Sequence, residues 1–282
     1  MKHMETWITS HKLPVGAVMA QLVDFVRKHF MFFFNGVSDV VGSLADGLTD
    51  FLLGFPPLLL LVVFTVGSYV ARRSGWLTAL VGLGLLFIIN QGYWQETMGT
   101  LSLVLFSTII CLLVGVPLGI AAAHRPWLGR LLHPVLDLMQ TLPTFVYLIP
   151  TLILFGLGTV PGMISTIVFA IPAPIRMTEM GIASVPRTLL EAGESFGSTP
   201  RQLLWKIEIP AALPMIRAGL TQCIMLSLSM VVIAALVGAG GLGVPVVRAL
   251  NTVQVDTGFE SGFAIVLLAI MLDRLCRAKG TS

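Results

Sequence analysis

Between Phe51 and Ala71 the chain carries no charged side chain, and the same holds for Trp76–Asn90, Thr97–Ala123, Leu138–Ile175, Ala218–Val237 and Gly262–Leu272. Runs of this kind leave few options. A bilayer core takes about 20 apolar residues per helix. A segment inside it must close its own backbone hydrogen bonds, as a helix does. The chain therefore reads as an all-α, polytopic membrane protein. Composition agrees: 11% of its 282 residues are charged, against about 25% in soluble domains. Leu138–Ile175 is too long for one crossing. Gly156–Gly162 supplies a break, so spans are expected at roughly 134–155 and 163–175. Trp76–Asn90 is a shorter span, with Tyr93 and Trp94 beyond it as interface anchors. A Gly-rich turn, Gly238–Gly243, closes the sixth span, Ala218–Val237. The count is about seven transmembrane helices.

The start of the chain is different. Residues 1–14 are polar and expected to be loosely ordered. Val15–Phe34 places Val18, Leu22, Phe25 and Val26 on one helical side, with Asp24 and Lys28 spaced for an i,i+4 pair. A second pattern runs through Val37, Val40, Val41, Leu44, Leu48 and Phe51. These amphipathic helices are expected to lie in the membrane interface. Asp24, Arg27 and Lys28 cut the apolar run too short for a signal peptide. The organisation expected is 1–50 as a tail with interfacial helices, 51–92 as two accessory transmembrane helices, and 93–277 as a transmembrane core.

One segment between the apolar runs is both charged and locally structured. Ser184–Pro210 holds two short helical patterns joined by a turn. Pro186 stands where a helix can begin, because first-turn N–H groups have no intrahelical partner. Gly197 breaks the first helix. Thr199, Pro200 and Gln202 restart the chain with a capping box. Pro210 is expected to stop the second helix. Leu189, Leu190 and Phe196 give the first helix an apolar side, and Leu203, Leu204 and Ile207 do so for the second.

This segment resembles the Glu-Ala-Ala loop of ABC-type importer permeases. Glu191, Ala192, Gly197, Ile207 and Pro210 match that pattern at its spacing. Gly193 stands where the family has a second Ala, and Ile209 where it has Leu. Gly193 would weaken the first helix by roughly 1 kcal/mol relative to Ala. A second resemblance covers Gln140–Pro150, Met225–Gly243 and Ala269–Arg274. These stretches look like the permeases that import glycine betaine, proline betaine or choline. The resemblance implies the type I ABC importer permease fold. It also implies a separate ATPase subunit gripping loop 184–210, an extracytoplasmic solute-binding protein, and a second permease copy as a homodimer. The setting it implies is a bacterial inner membrane.

Charge placement gives an orientation by a separate route. Arg72, Arg73, Arg125, Arg130, Arg176, Arg187, Arg201, Lys206, Arg274, Arg277 and Lys279 fall on one side of seven spans. The positive-inside rule makes that side cytoplasmic, with the N-terminus outside, the C-terminus inside and the elbow at 184–210 inside. A net charge of +3 is too small to suggest nucleic acid as a partner.

Candidate chemistry within the spans is sparse. Pro143 and Pro150, with Thr141, Thr144 and Tyr147, are candidates for lining a translocation path, since proline frees a backbone carbonyl in a membrane helix. The same residues can equally shape packing alone. Asp137, Arg176 and Glu179 lie near an interface and read as solvated. Gly115, Gly119, Ala121 and Ala122 are expected to allow close helix packing. Cys111, Cys223 and Cys276 are solitary, without metal or redox spacing. No Walker A pattern occurs, so no cofactor is expected in this chain and ATP would be bound by the partner. No catalytic spacing or metal cluster is evident, and no enzyme chemistry is expected. The competing reading is a self-contained secondary transporter or channel, which would need internal repeats or a coupling-ion site.

Overall fold

The computed structural model describes residues 15–276, all in helices or in the turns between them. The polar segment 1–14 and the basic residues Arg277 and Lys279 lie outside the described residues. The first helix, α1, runs from Val15 to Leu53 and is kinked at Phe30, where φ is −118° and ψ is 16°. Both amphipathic patterns thus belong to one element. Its buried residues are Val41, Ala45 and Leu52, while Val40, Leu44 and Phe51 face outward. The expected stripe is therefore rotated by about one position. The reason is that a lipid-facing side is as apolar as a core-facing one, so small residues rather than hydrophobicity mark the contact. At Gly42 an added Cβ would lie 3.4 Å from Val160.

Pro56 and Pro57 turn the chain through 97° into α2 (Pro57–Arg72), and α3 (Gly75–Asn90) packs beside it. Four helical stretches are long and apolar enough to cross a membrane: Trp94–His124, Thr159–Ala183, Pro200–Ala235 and Val255–Cys276. The bent pairs at 23–72 and 126–155 raise that to six, and Gly75–Asn90 is a shorter apolar helix.

The centre is built from α4 (Trp94–His124), α7 (Thr159–Ala170), α8 (Pro172–Ala183) and α11 (Ile209–Ala235). Glycines bring their backbones together. A Cβ added at Gly119 would lie 2.6 Å from the Ile175 carbonyl oxygen and 2.7 Å from Thr178 Cβ. One at Gly219 would lie 2.9 Å from Met177 Cβ. This is the close approach expected from Gly115 and Gly119, since without a side chain the helices can cross at backbone distance.

The two Gly-rich turns meet at the end of the core where α4 begins. The Gly158 N–H donates to the Val237 carbonyl at 2.8 Å. The Leu242 N–H donates to Thr100 Oγ1 at 2.8 Å. Gly241, with φ +104°, has no room for a Cβ beside Thr100. The last helices, α12 (Gly243–Thr252) and α13 (Val255–Cys276), follow. At the same end Tyr93 contacts Glu260 at 3.4 Å. Burial and then the Glu260 carboxylate push the Tyr93 phenol above its usual range. Trp94, expected at the interface, instead belongs to the main hydrophobic cluster.

A break appears where one span was expected. Residues 134–155 divide into α5 (Pro126–Thr141) and α6 (Thr144–Phe155), bent by 100°. Leu142 precedes Pro143 and is extended, with ψ 134°, as the proline ring requires. The Tyr147 hydroxyl donates back to the Met139 carbonyl and braces the corner.

Gly119→Val forces α4 away from α8 and should cost about 1–3 kcal/mol. The check is the thermal midpoint of the detergent-solubilised protein. Gly67→Val, where an added Cβ meets nothing within 4 Å, should leave that midpoint far less changed.

Candidate functional site

Between α8 and α11 the chain forms a compact elbow. The Ser184 hydroxyl donates to the Gly181 carbonyl at 2.8 Å as α8 ends. Pro186 is extended and precedes α9 (Arg187–Ser195) rather than occupying its first turn. Gly197 takes φ +74°. Its N–H donates to the Glu194 carbonyl at 2.8 Å, and the Ser198 N–H donates to the Gly193 carbonyl at 3.1 Å. That pair of bonds is a Schellman C-cap, which closes a helix through a left-handed residue. Thr199 then opens α10 (Pro200–Leu203). Its N–H donates to Gln202 Oε1 at 2.8 Å, and its hydroxyl accepts from the Gln202 N–H at 3.4 Å. Both halves of the capping box are present.

Pro210 does not stop the second helix. A π-helical turn, Leu204–Glu208, carries the chain straight into α11, with Pro210 in that helix's first turn. The Ile209 N–H donates to the Leu204 carbonyl, five residues back. The widened turn takes up the extra residue just before a ring that could neither donate nor fit a normal α-helical turn.

The interior of the elbow is the contact of α9 with the π-turn. An added Cβ at Gly193 would lie 2.5 Å from Ile207 Cδ1 and 2.6 Å from Leu203 Cδ2. Gly193 thus costs helix propensity but lets Leu203 and Ile207 close over it. Leu203 is buried, and Leu190, Leu204 and Ile207 are half-buried. Glu191 and Ala192 are exposed on the outer side. So are large apolar groups that the helix pattern suggested would be covered: Phe196 is 91% exposed, and Leu189 is also exposed. Trp205, not singled out by the sequence pattern, is 62% exposed.

One ion pair and two histidine–carboxylate contacts surround the base of the elbow. Asp137, Arg176 and Glu179 are not merely solvated. Arg176 pairs with Asp137. Both carboxylate oxygens of Glu179 contact His133 Nε2, at 2.9 and 3.0 Å. Glu208 Oε2 lies 2.8 Å from His124 Nε2. His124, His133 and Glu208 carry no motif, and only their place next to the elbow could have drawn notice.

The other candidate residues gather at the α5–α6 corner. Thr141 and Pro143 are exposed there, and Thr144 and Pro150 are half-buried on α6. Tyr147 is buried and packs toward Phe169. The Thr151 hydroxyl, which the sequence did not single out, meets the Ser165 hydroxyl at 2.7 Å across α6 and α7. Cys111 and Cys223 are buried in one small cluster with Ile167 and Ala170. Among the described residues no three His, Cys, Asp or Glu side chains are grouped to hold a metal ion.

A capped helical elbow leaving a glycine-packed bundle has a counterpart among known proteins. Residues 115–276 match the binding-protein-dependent transport system inner membrane component family. The chain belongs to that family. The family match runs from within the last third of α4 through α13 and includes the elbow. The glycine betaine transport system permease protein OpuAB of Bacillus subtilis is 43% identical over 265 residues, covering 94% of this chain and 93% of the relative. The glycine betaine/proline betaine transport system permease protein ProW of Escherichia coli is 40% identical over 288 residues, covering 99% of this chain and 79% of the relative. An inward-facing structure of the MetNI methionine ABC transporter shares the fold, with a TM-score of 0.58 at 24% identity over 63% of this chain and 89% of that one. The chain is a multi-pass permease component of the inner membrane.

Thr199→Ala removes the hydroxyl half of the capping box and should cost about 1 kcal/mol locally. Hydrogen exchange at the Gln202 amide is the readout, with an expected rise of about fivefold.

Proposed function

We propose that this chain forms the translocation path of an ATP-driven importer for quaternary ammonium solutes of the glycine betaine and proline betaine type. Choline is a further candidate. The elbow at 184–210 is its seat for a separate ATPase subunit. The observation that carries this reading is Phe196, an aromatic ring 91% exposed at the tip of an element held by caps on both sides of the turn. An apolar ring presented on a stiff support matches the anchor residues of protein interfaces, which fill pockets on a partner. Trp205 offers a second anchor, and Glu191 adds an exposed carboxylate on the same element.

Several features support the accompanying orientation. Arg72 Nε and Nη2 donate to the Leu275 carbonyl, so the ends of α2 and α13 lie together. The Tyr93–Glu260 contact sets the starts of α4 and α13 together at the other end. α13 therefore runs in the same direction as α4, whose last residue, His124, meets the elbow through Glu208. Of the basic residues, Arg176, Arg187, Arg201 and Lys206 lie on the elbow and its stems, and Arg125 and Arg130 lie at the adjoining α4–α5 corner. The positive-inside rule then puts the elbow and the C-terminus in the cytoplasm and the N-terminus outside.

In this reading two copies of the permease form the path, with residues 93–277 as the core of each. Thr141, Pro143, Thr144, Tyr147 and Pro150 form the part of the path nearest the elbow. An extracytoplasmic binding protein selects and delivers the solute. The ATPase pair binds and hydrolyses ATP, and this chain carries no reaction of its own. Closure of the ATPases moves the elbows, and the spans change the side to which the path opens.

Phe196→Ala should weaken association with the ATPase by about thirtyfold, corresponding to a hot-spot loss of about 2 kcal/mol. Titration of the ATPase onto the permease in nanodiscs reads it. Unchanged affinity in both Phe196→Ala and Trp205→Ala would remove the elbow as the seat. Uptake by this chain alone, driven by an ion gradient, would remove the importer reading itself.

A further inference from the structure

We propose that the carboxylate contacts at the elbow's base form a transmission clasp, by which movement of the elbow is passed to the α5 arm. This rests on the reading that the elbow seats the ATPase. The elbow has two stems. The entering stem is α8, and it is held to α5 by Glu179 on His133 and by Arg176 on Asp137. The leaving stem is the π-turn before α11, where Glu208 Oε2 lies 2.8 Å from His124 Nε2 at the end of α4, a close contact without hydrogen-bond alignment. Both stems are therefore tied to the single α4–α5 corner.

The glutamates of the two histidine pairs are built into the packing, while their histidines stand at its exposed edge. The Glu179 side chain is 17% exposed and that of Glu208 is 11% exposed. Gly129 on α5 makes room for the first of them: a Cβ there would lie 3.1 Å from Glu179 Oε1. A carboxylate so placed is costly to leave unpaired, so its partner tends to follow it when it moves. Arg176 with Asp137 lies farther out and is worth less, because solvent screens it. It fixes the register of α5 along α8.

The consequence is mechanical. α5 is separated from α6 by the 100° corner at Leu142 and Pro143. An elbow displaced by its partner carries α8, α8 carries α5 through Glu179, and α5 swings about the corner. The arm that moves ends in Thr141 and shifts it against Thr144 and Tyr147, which stand on α6 across the corner. His124, His133, Asp137, Arg176, Glu179 and Glu208 are thus positioning residues of transport, not contacts to solute or ATPase.

The test uses the whole importer in proteoliposomes, with solute uptake and ATP hydrolysis measured together and ATPase affinity measured separately. Glu179→Gln and Glu208→Gln keep the shape and remove the charge. Both should bind the ATPase as tightly as the unaltered chain, yet move about fivefold or more less solute per ATP hydrolysed. Asp137→Arg should lower that ratio, and adding Arg176→Asp should recover it. Normal coupling in both glutamine variants overturns the clasp, as does an Asp137→Arg loss that the paired exchange leaves uncorrected. The docking reading fails by a different sign, a loss of its dependence on Phe196 in the affinity measurement, so the two failures are distinguishable.

Discussion

Backbone contact at glycine is the constraint on which the core depends. Within a bilayer the hydrophobic effect does little to draw one helix to another, because lipid is as apolar as leucine. Close approach must supply the energy instead, through dispersion between well-fitted surfaces. Gly119 against the Ile175 carbonyl and Gly219 against Met177 set that approach for α4, α8 and α11. The elbow hangs from it, since α8 and α11 are its two stems.

The elbow is held together by different means. It lies among charged residues and cannot draw stiffness from the bundle. Its order comes from local hydrogen bonds: a Schellman cap closing α9, a capping box opening α10, and a π-turn leading into α11. Gly193 then lets Leu203 and Ile207 fold over the first helix. The exposed rings of Phe196 and Trp205 are what remains once that small interior is full.

These two modes explain what could be read from the residues. The elbow's turn was legible because caps are local: Gly197 and Thr199–Gln202 declare themselves within a few positions. The glycine crossings were legible as small residues in an apolar run, though their partners were not. Pro143 was read as part of one long span because nothing nearby marks a sharp corner, and the brace that holds it is a tyrosine hydroxyl reaching a carbonyl. The π-turn was hidden because Pro210 predicts a stop unless the preceding turn is widened. The outward rotation of Val40 and Leu44 in α1 was hidden because the apolar arc of that helix is wide enough to hold both the buried Val41 and Ala45 and the outward Val40 and Leu44. The histidine pairs join residues far apart in the chain, and no spacing rule reports them.

The widened turn at Leu204–Glu208 also fixes an angular phase. Each residue of an α-helix advances the chain by about 100° around its axis. Deleting one residue there would leave every cap and every span intact, yet rotate the outer ring of Trp205 by roughly that angle relative to α11. Lineages that share this gearing are therefore expected to vary the identity of residues in the segment far more freely than its length.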